Sequence, residues 1–207
     1  VSTDYVFAGD AAEGYWEDAP RQPLGHYGRS KAAGEEAVEA AGGRWQIART
    51  SWLFGPGPKN FVLAIRRRLA ERPVVRVVDD QVGCPTYAPD LARLLVFLVE
   101  NGSPGLYHAT NAGACSWFAF AREIARRQGD DPGRVQPCAT AAYPTPARRP
   151  ACSILRSRNL EALGCPPRPP WPDALARYLS LLAGDGGSEG PRPRAGGSGG
   201  GPEEERN

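Results

Sequence analysis

Apolar positions recur with two different periods along most of this chain. Residues 1–7, 45–48, 74–78 and 105–109 read as short apolar strands, and helical spacing appears between them at 30–41, 60–71, 89–100 and 116–128. The helix at 89 opens on Pro-Asp, and Ser116 is placed to cap the helix that follows it. Strands alternating with helices predict an α/β fold with parallel strands. The pattern thins from 132 to 172, where prolines and arginines interrupt everything except a short helical stretch at 157–163. With a last amphipathic helix at 172–182, the expected architecture is a parallel sheet followed by a small, loop-rich lobe.

Beyond Ala183 the side chains turn to Gly, Pro, Ser, Arg and Glu. Such a segment buries too little apolar surface to offset chain entropy. The chain is therefore expected to divide into a folded region, 1–182, and a disordered tail, 183–207.

Composition narrows the partners. The 25 basic and 23 acidic residues leave a net charge of +2, so no general attraction to nucleic acid or to a membrane surface is expected. The apolar stretch 91–99 is too short to cross a bilayer as a helix. Cys84, Cys115, Cys138, Cys152 and Cys165 are odd in number and contain no C-x-x-C pair, which predicts free thiols in a reducing cytoplasm. Cys84 reads as a small packed residue, and His26 and His108 are too isolated to suggest a metal site. The chain has no methionine and opens in strand-like sequence, from which a start in mid-protein is expected. Only Lys31 and Lys59 are lysines among many arginines, so Lys31 is a position where an ammonium is wanted.

The segment Tyr27-Gly28-Arg29-Ser30-Lys31 sets a phenol and an ammonium four residues apart at the start of a helical pattern, on one face. An adjacent ammonium stabilises phenolate, which suits such a tyrosine to proton exchange. Upstream, Ser2-Thr3-Asp4-Tyr5-Val6-Phe7 ends a strand, and strand carboxyl ends are where α/β sheets bind ligands. The Thr3 hydroxyl could then bond the same reacting oxygen as Tyr27.

These segments, with Arg49-Thr50-Ser51-Trp52-Leu53-Phe54-Gly55, Asp79-Asp80-Gln81-Val82-Gly83-Cys84-Pro85-Thr86 and Pro144-Thr145-Pro146-Ala147-Arg148-Arg149-Pro150, resemble the dTDP-4-dehydrorhamnose reductase family of extended short-chain dehydrogenase/reductases. The resemblance spans about 1–182. It implies the carboxyl-terminal portion of a Rossmann-like parallel sheet with a small substrate-binding lobe. By it Thr3, Tyr27 and Lys31 match a catalytic triad, Thr3 and Asp4 match substrate contacts, and Trp52 matches the aromatic residue lying against the sugar. Tyr27 and Lys31 would also touch the cofactor's nicotinamide ribose, with NADPH as the hydride donor and NADH as the alternative. Arg149 is a candidate donor to the diphosphate of a dTDP-sugar, where the bland alternative is a solvated arginine-rich loop. A homodimer stays open. The glycine-rich dinucleotide turn is not in this chain, and Gly55-Pro56-Gly57 does not replace it because prolines remove backbone donors. Two rivals remain: an NDP-sugar epimerase or dehydratase of the same superfamily, and a non-catalytic, reductase-like binding subunit.

Overall fold

The computed structural model describes residues 1–142 and 148–185. Its central element is a parallel sheet of β1 (Ser2–Thr3), β2 (Gln46–Thr50) and β7 (Gly105–His108), ordered β1-β2-β7. Thr3 stands beside Thr50 and Arg49 beside His108, so the carboxyl ends of all three strands meet at one edge. Helix α1 (His26–Ala40) crosses from β1 to β2, completing a βαβ unit. Between β2 and β7 the chain forms β3 (Leu53–Phe54), α2 (Phe61–Glu71), β4 (Val75–Val78), β5 (Val82–Gly83), β6 (Thr86–Tyr87) and α3 (Ala88–Asn101). After β7 come β8 (Cys115–Ser116), α4 (Trp117–Arg127), β9 (Val135–Cys138), α5 (Asn159–Ala162) and α6 (Trp171–Asp185).

The helix starts follow their capping chemistry. Asn60 Oδ1 accepts from the Leu63 amide at 3.0 Å ahead of α2, and Ser116 Oγ accepts from the Ala119 amide at 3.0 Å ahead of α4. Pro89 and Asp90 open α3, and Asp90 is buried under a two-pronged contact from Arg177 on α6 and a 2.7 Å bond from Asn111. Apolar spacing alone does not foresee that second use of Asp90, as an anchor between helices.

Three expectations are corrected. Residues 1–7 do not form one strand: only Ser2 and Thr3 pair with β2, and Asp4–Val6 turn into a 3-10 helix. The Thr3 hydroxyl, accepting from the Tyr5 amide at 3.3 Å, offers the backbone an alternative to the ladder. Helix α1 begins at His26 rather than 30, which puts both Tyr27 and Lys31 inside it. The stretch after 132 is not only loop, because β9 pairs in parallel with β4, Val77 standing beside Pro137. Proline has no amide hydrogen, and a two-stranded sheet leaves one side of β9 where none is required.

The largest apolar cluster lies off the central sheet. Phe54, Val62, Ile65, Leu69, Phe120, Ile124, Leu175 and Tyr178 pack where α2, α4 and α6 meet β4 and β9. The lobe is thus a well-packed body assembled from three separated segments. Smaller clusters hold α3 and α5 against β2 and β7, and α1 against the turn after β1. Helix α6 continues to Asp185; the rest of the expected tail, and residues 143–147, which include the first four of the Pro144-to-Pro150 motif, lie outside the described residues.

Candidate active site

A cleft of about 520 Å³ opens at the carboxyl ends of β1 and β2. Thr3, Asp4, Tyr27, Lys31, Trp52 and Arg149, from four separated stretches of sequence, all line it. A second cavity of about 330 Å³ adjoins it, with Phe61, Ala64, Ile65, Val77 and Val78 as an apolar lining and Arg76 and Gln81 among its polar groups. Trp117 and Arg149 belong to both.

Close backbone approach puts Tyr27 there. A Cβ at Gly28 would lie 2.1 Å from the Tyr5 carbonyl oxygen and 2.9 Å from Pro23 Cβ, so only glycine lets α1 sit against the Asp4–Val6 turn. The Tyr27 ring then stands edge-on to Tyr5 at 6.1 Å and remains 59% exposed, open to a ligand. Lys31, one turn further, donates from Nζ to the Val1 carbonyl at 2.7 Å and so faces the start of β1.

Thr3 and Asp4 are both buried. Thr3 Oγ1 donates to Asp4 Oδ1 at 3.0 Å, while Asp4 Oδ2 is buried with no donor in hydrogen-bonding geometry. Burial pushes the Asp4 carboxyl up to about 6, against the pull of the Ser153 and Thr3 hydroxyls. Thr50, next to Thr3 across the ladder, also has an unpartnered buried hydroxyl.

Trp52 holds the only positive φ of a non-glycine among the described residues, at 46°. Its ring stacks on Trp117 at 3.4 Å and 5°, and Gly83 leaves the space it fills, since a Cβ there would lie 2.5 Å from Trp52 Cε2. The structure therefore adds Trp117 to the residues singled out from sequence. The cue that was available is its place directly after the Ser116 cap, which orients the first turn of α4 toward the cleft.

Beneath the cleft, Arg49 on β2 is fully buried and forks onto Glu35 of α1, with Nε–Oε1 at 2.9 Å and Nη2–Oε2 at 2.6 Å. Burial pushes the Glu35 carboxyl up, but Arg49, Ser2 and Arg21 outweigh it and leave the group below its ordinary range. This pair locks the helix carrying Tyr27 and Lys31 to the strand carrying Thr50 and leading to Trp52. His108 is a buried neutral ring bonded to the Arg156 carbonyl at 2.7 Å, its pKa driven down to about 3 by burial. His26 is exposed, and no group of metal-ligating side chains occurs among the described residues. Cys84 is packed, and burial pushes its thiol up to about 11, which makes it a poor nucleophile.

A parallel sheet whose strand ends face a Tyr-x-x-x-Lys helix defines a Rossmann-like protein of the short-chain dehydrogenase/reductase class. Residues 1–183 match the family described as RmlD substrate binding domain, and the chain belongs to it. It is 42% identical over 200 residues to the dTDP-4-dehydrorhamnose reductase of Streptomyces griseus, covering 94% of this chain and 66% of that protein. A probable dTDP-4,6-dihydroxy-2-methyloxan-3-one 4-ketoreductase of Streptomyces antibioticus is 41% identical over 187 residues, covering 89% of this chain and 63% of its own length. The crystal structure of a Bacillus anthracis dTDP-4-dehydrorhamnose reductase in complex with NADP superposes with a TM-score of 0.83 at 39% identity, over 87% of this chain and 64% of that one. The chain thus spans somewhat under two thirds of the length of these proteins. Among the described residues no helix is long and apolar enough to cross a membrane.

Proposed function

We propose that this chain carries the proton-donating and sugar-nucleotide-binding part of a reductase that converts dTDP-4-dehydro-β-L-rhamnose to dTDP-L-rhamnose with NADPH. The observation that supports it most is the convergence of Thr3, Asp4, Tyr27, Lys31, Trp52 and Arg149 on one cleft. Tyr27 and Lys31 lie together where the nicotinamide ribose would be held, and the group would supply the hydride when bound. The residues present fit that end of the cofactor; the glycine-rich turn that would grip its diphosphate is not among them.

Tyr27 is the exposed phenol of the cleft and gives its proton to the ketone oxygen as that oxygen becomes a hydroxyl. Lys31, anchored on Val1, keeps an ammonium on the same helix face. Thr3 has a more restricted role than a free hydroxyl. With Asp4 ionised, its hydrogen is committed to Oδ1 and it can only accept, from Tyr27 or from a sugar hydroxyl. With Asp4 protonated, the bond can reverse and Thr3 can donate to the reacting oxygen. Arg149 at the junction of the two cavities suits a diphosphate, the sugar lying toward Trp52 and the flat base toward the apolar cavity. Five free thiols suit a cytoplasmic setting.

The test is Tyr27→Phe, which keeps the ring and removes the proton donor. In a reductase that joins these residues to a glycine-rich dinucleotide-binding half, turnover of the 4-ketosugar with NADPH should fall by about 10²–10⁴ while binding of dTDP-L-rhamnose is unchanged. A variant retaining more than half the wild-type rate, with hydride transfer limiting, removes Tyr27 from this role.

A further inference from the structure

Trp117 stands at a place that no other aromatic residue shares among the described residues: it lines the 520 Å³ cleft and the 330 Å³ apolar cavity at once. Its backbone is set by Ser116, which caps α4 and also donates to Asp79 Oδ1 at 2.5 Å. On one side its ring stacks on Trp52, and on another it meets Phe61 at 4.4 Å, the ring that continues into the lobe core through Phe120. Trp52 is confined by contrast. It is held by Gly83 and by a left-handed backbone, and it lines the larger cleft only.

We propose that Trp117 is a specificity-determining residue, a wall shared by both cavities that meets the nucleotide end of the ligand while holding Trp52 in place for the sugar. This rests on the sugar-nucleotide reading of the cleft. A ligand running from one cavity to the other passes between Trp117 and Arg149, an aromatic face and a cation. That arrangement suits a sugar, an anionic linker and a flat base joined in that order. The two tryptophans then divide the ligand: Trp52 senses only whether a sugar is attached, and Trp117 senses both halves.

Calorimetric titration of this chain with dTDP and with dTDP-L-rhamnose separates the two roles without any need for turnover. Trp52→Ala should weaken dTDP-L-rhamnose about tenfold and leave dTDP unchanged, and Gly83→Ala, which pushes on Trp52, should do the same. Trp117→Ala should weaken both ligands about tenfold or more, with Trp117→Phe restoring most of the dTDP affinity. Urea midpoints of the same variants confirm that each is folded at the titration temperature. If Trp117→Ala binds both ligands as wild type does, or loses only the sugar-bearing one, the proposal is overturned while the sugar-nucleotide reading stands. If the wild-type chain binds neither ligand, that reading fails and takes this proposal with it.

Discussion

The lobe core and the cleft beside it are built from neighbouring residues yet obey opposite rules. Under α2, α4 and α6, Phe54, Phe120, Ile124, Leu175 and Tyr178 are almost fully buried, and the Tyr178 hydroxyl accepts from Asn60 Nδ2 at 2.9 Å. A few residues away, the strand ends bury Asp4 and Thr50 with polar atoms left unpartnered and hold Trp52 in a left-handed conformation. Buried unpaired polar groups and unusual backbone each act against folding by about 1–3 kcal/mol. They persist where the surrounding packing over-determines the structure: Trp52 is held against Trp117, which packs on the lobe core, and the Arg49–Glu35 pair holds α1 to β2 beside Thr50. The contrast separates the part of the chain that stabilises from the part that carries unpaired groups and unusual backbone, where the proposed ligand site lies.

That contrast can be broken at its strong end first. Phe120→Ala removes a ring that contacts Phe54, Phe61 and Trp171, and should lower unfolding free energy by about 3–5 kcal/mol in urea titrations. A loss under about 1 kcal/mol would mean that the lobe is not the stabilising body. Next is Glu35→Gln, which leaves the Arg49 guanidinium buried without its counter-charge and should cost about 3 kcal/mol. If Glu35→Gln unfolds at the wild-type urea midpoint, the Arg49 pair does not hold α1 to β2.

Titration probes the cleft side. Asp4, raised from 3.8 to about 6, binds its proton more tightly when folded, so its contribution is full below 3.8 and is lost as pH rises through about 6. His108, lowered from 6.5 to about 3, contributes above 6.5 and loses that contribution as pH falls toward 3. The two slopes oppose each other between pH 3.8 and about 6. Asp4→Asn removes one of them, so its stability should climb more steeply than wild type from about pH 4.5 to about pH 7, by about 2 kcal/mol. Parallel stability curves for the two proteins would show that the Asp4 carboxyl is not raised. The smallest effect is expected for Thr50→Val, which replaces an unpartnered buried hydroxyl with a methyl of similar shape. Its stability should rise by about 1 kcal/mol, the low end of that penalty, and a destabilisation of about 2 kcal/mol would reveal a partner for that hydroxyl.

Much of the framework was legible because local rules fixed it. Asn60 and Ser116 sit at helix starts where their side chains satisfy free amides, and apolar periods located α2, α3 and α4 to within a residue or two. The Tyr27–Lys31 spacing was readable for the same reason, since a helix repeats every 3.6 residues. Strand β9 was not readable: its proline is acceptable only because one side of the strand needs no bond, a fact about its neighbour rather than its composition. Residues 1–7 read as one strand because Val1, Tyr5, Val6 and Phe7 favour extended backbone, while the side chain of Thr3 redirected the chain after two residues.

By itself, then, the sequence determined the alternation of the longer strands with helices, the Ser116 cap, and the phenol and ammonium on one helical face, all set by contacts a few residues long. Only the tertiary structure decided that Arg149 and Trp117 join Thr3 and Tyr27 around one cleft, that Asp4 is buried deeply enough to hold its proton near pH 6, and that Trp52 stacks on an indole 65 positions away. Burial, dielectric environment and ring stacking depend on what lies across space. A pattern read along the chain carries no distance between residues that the fold alone brings together.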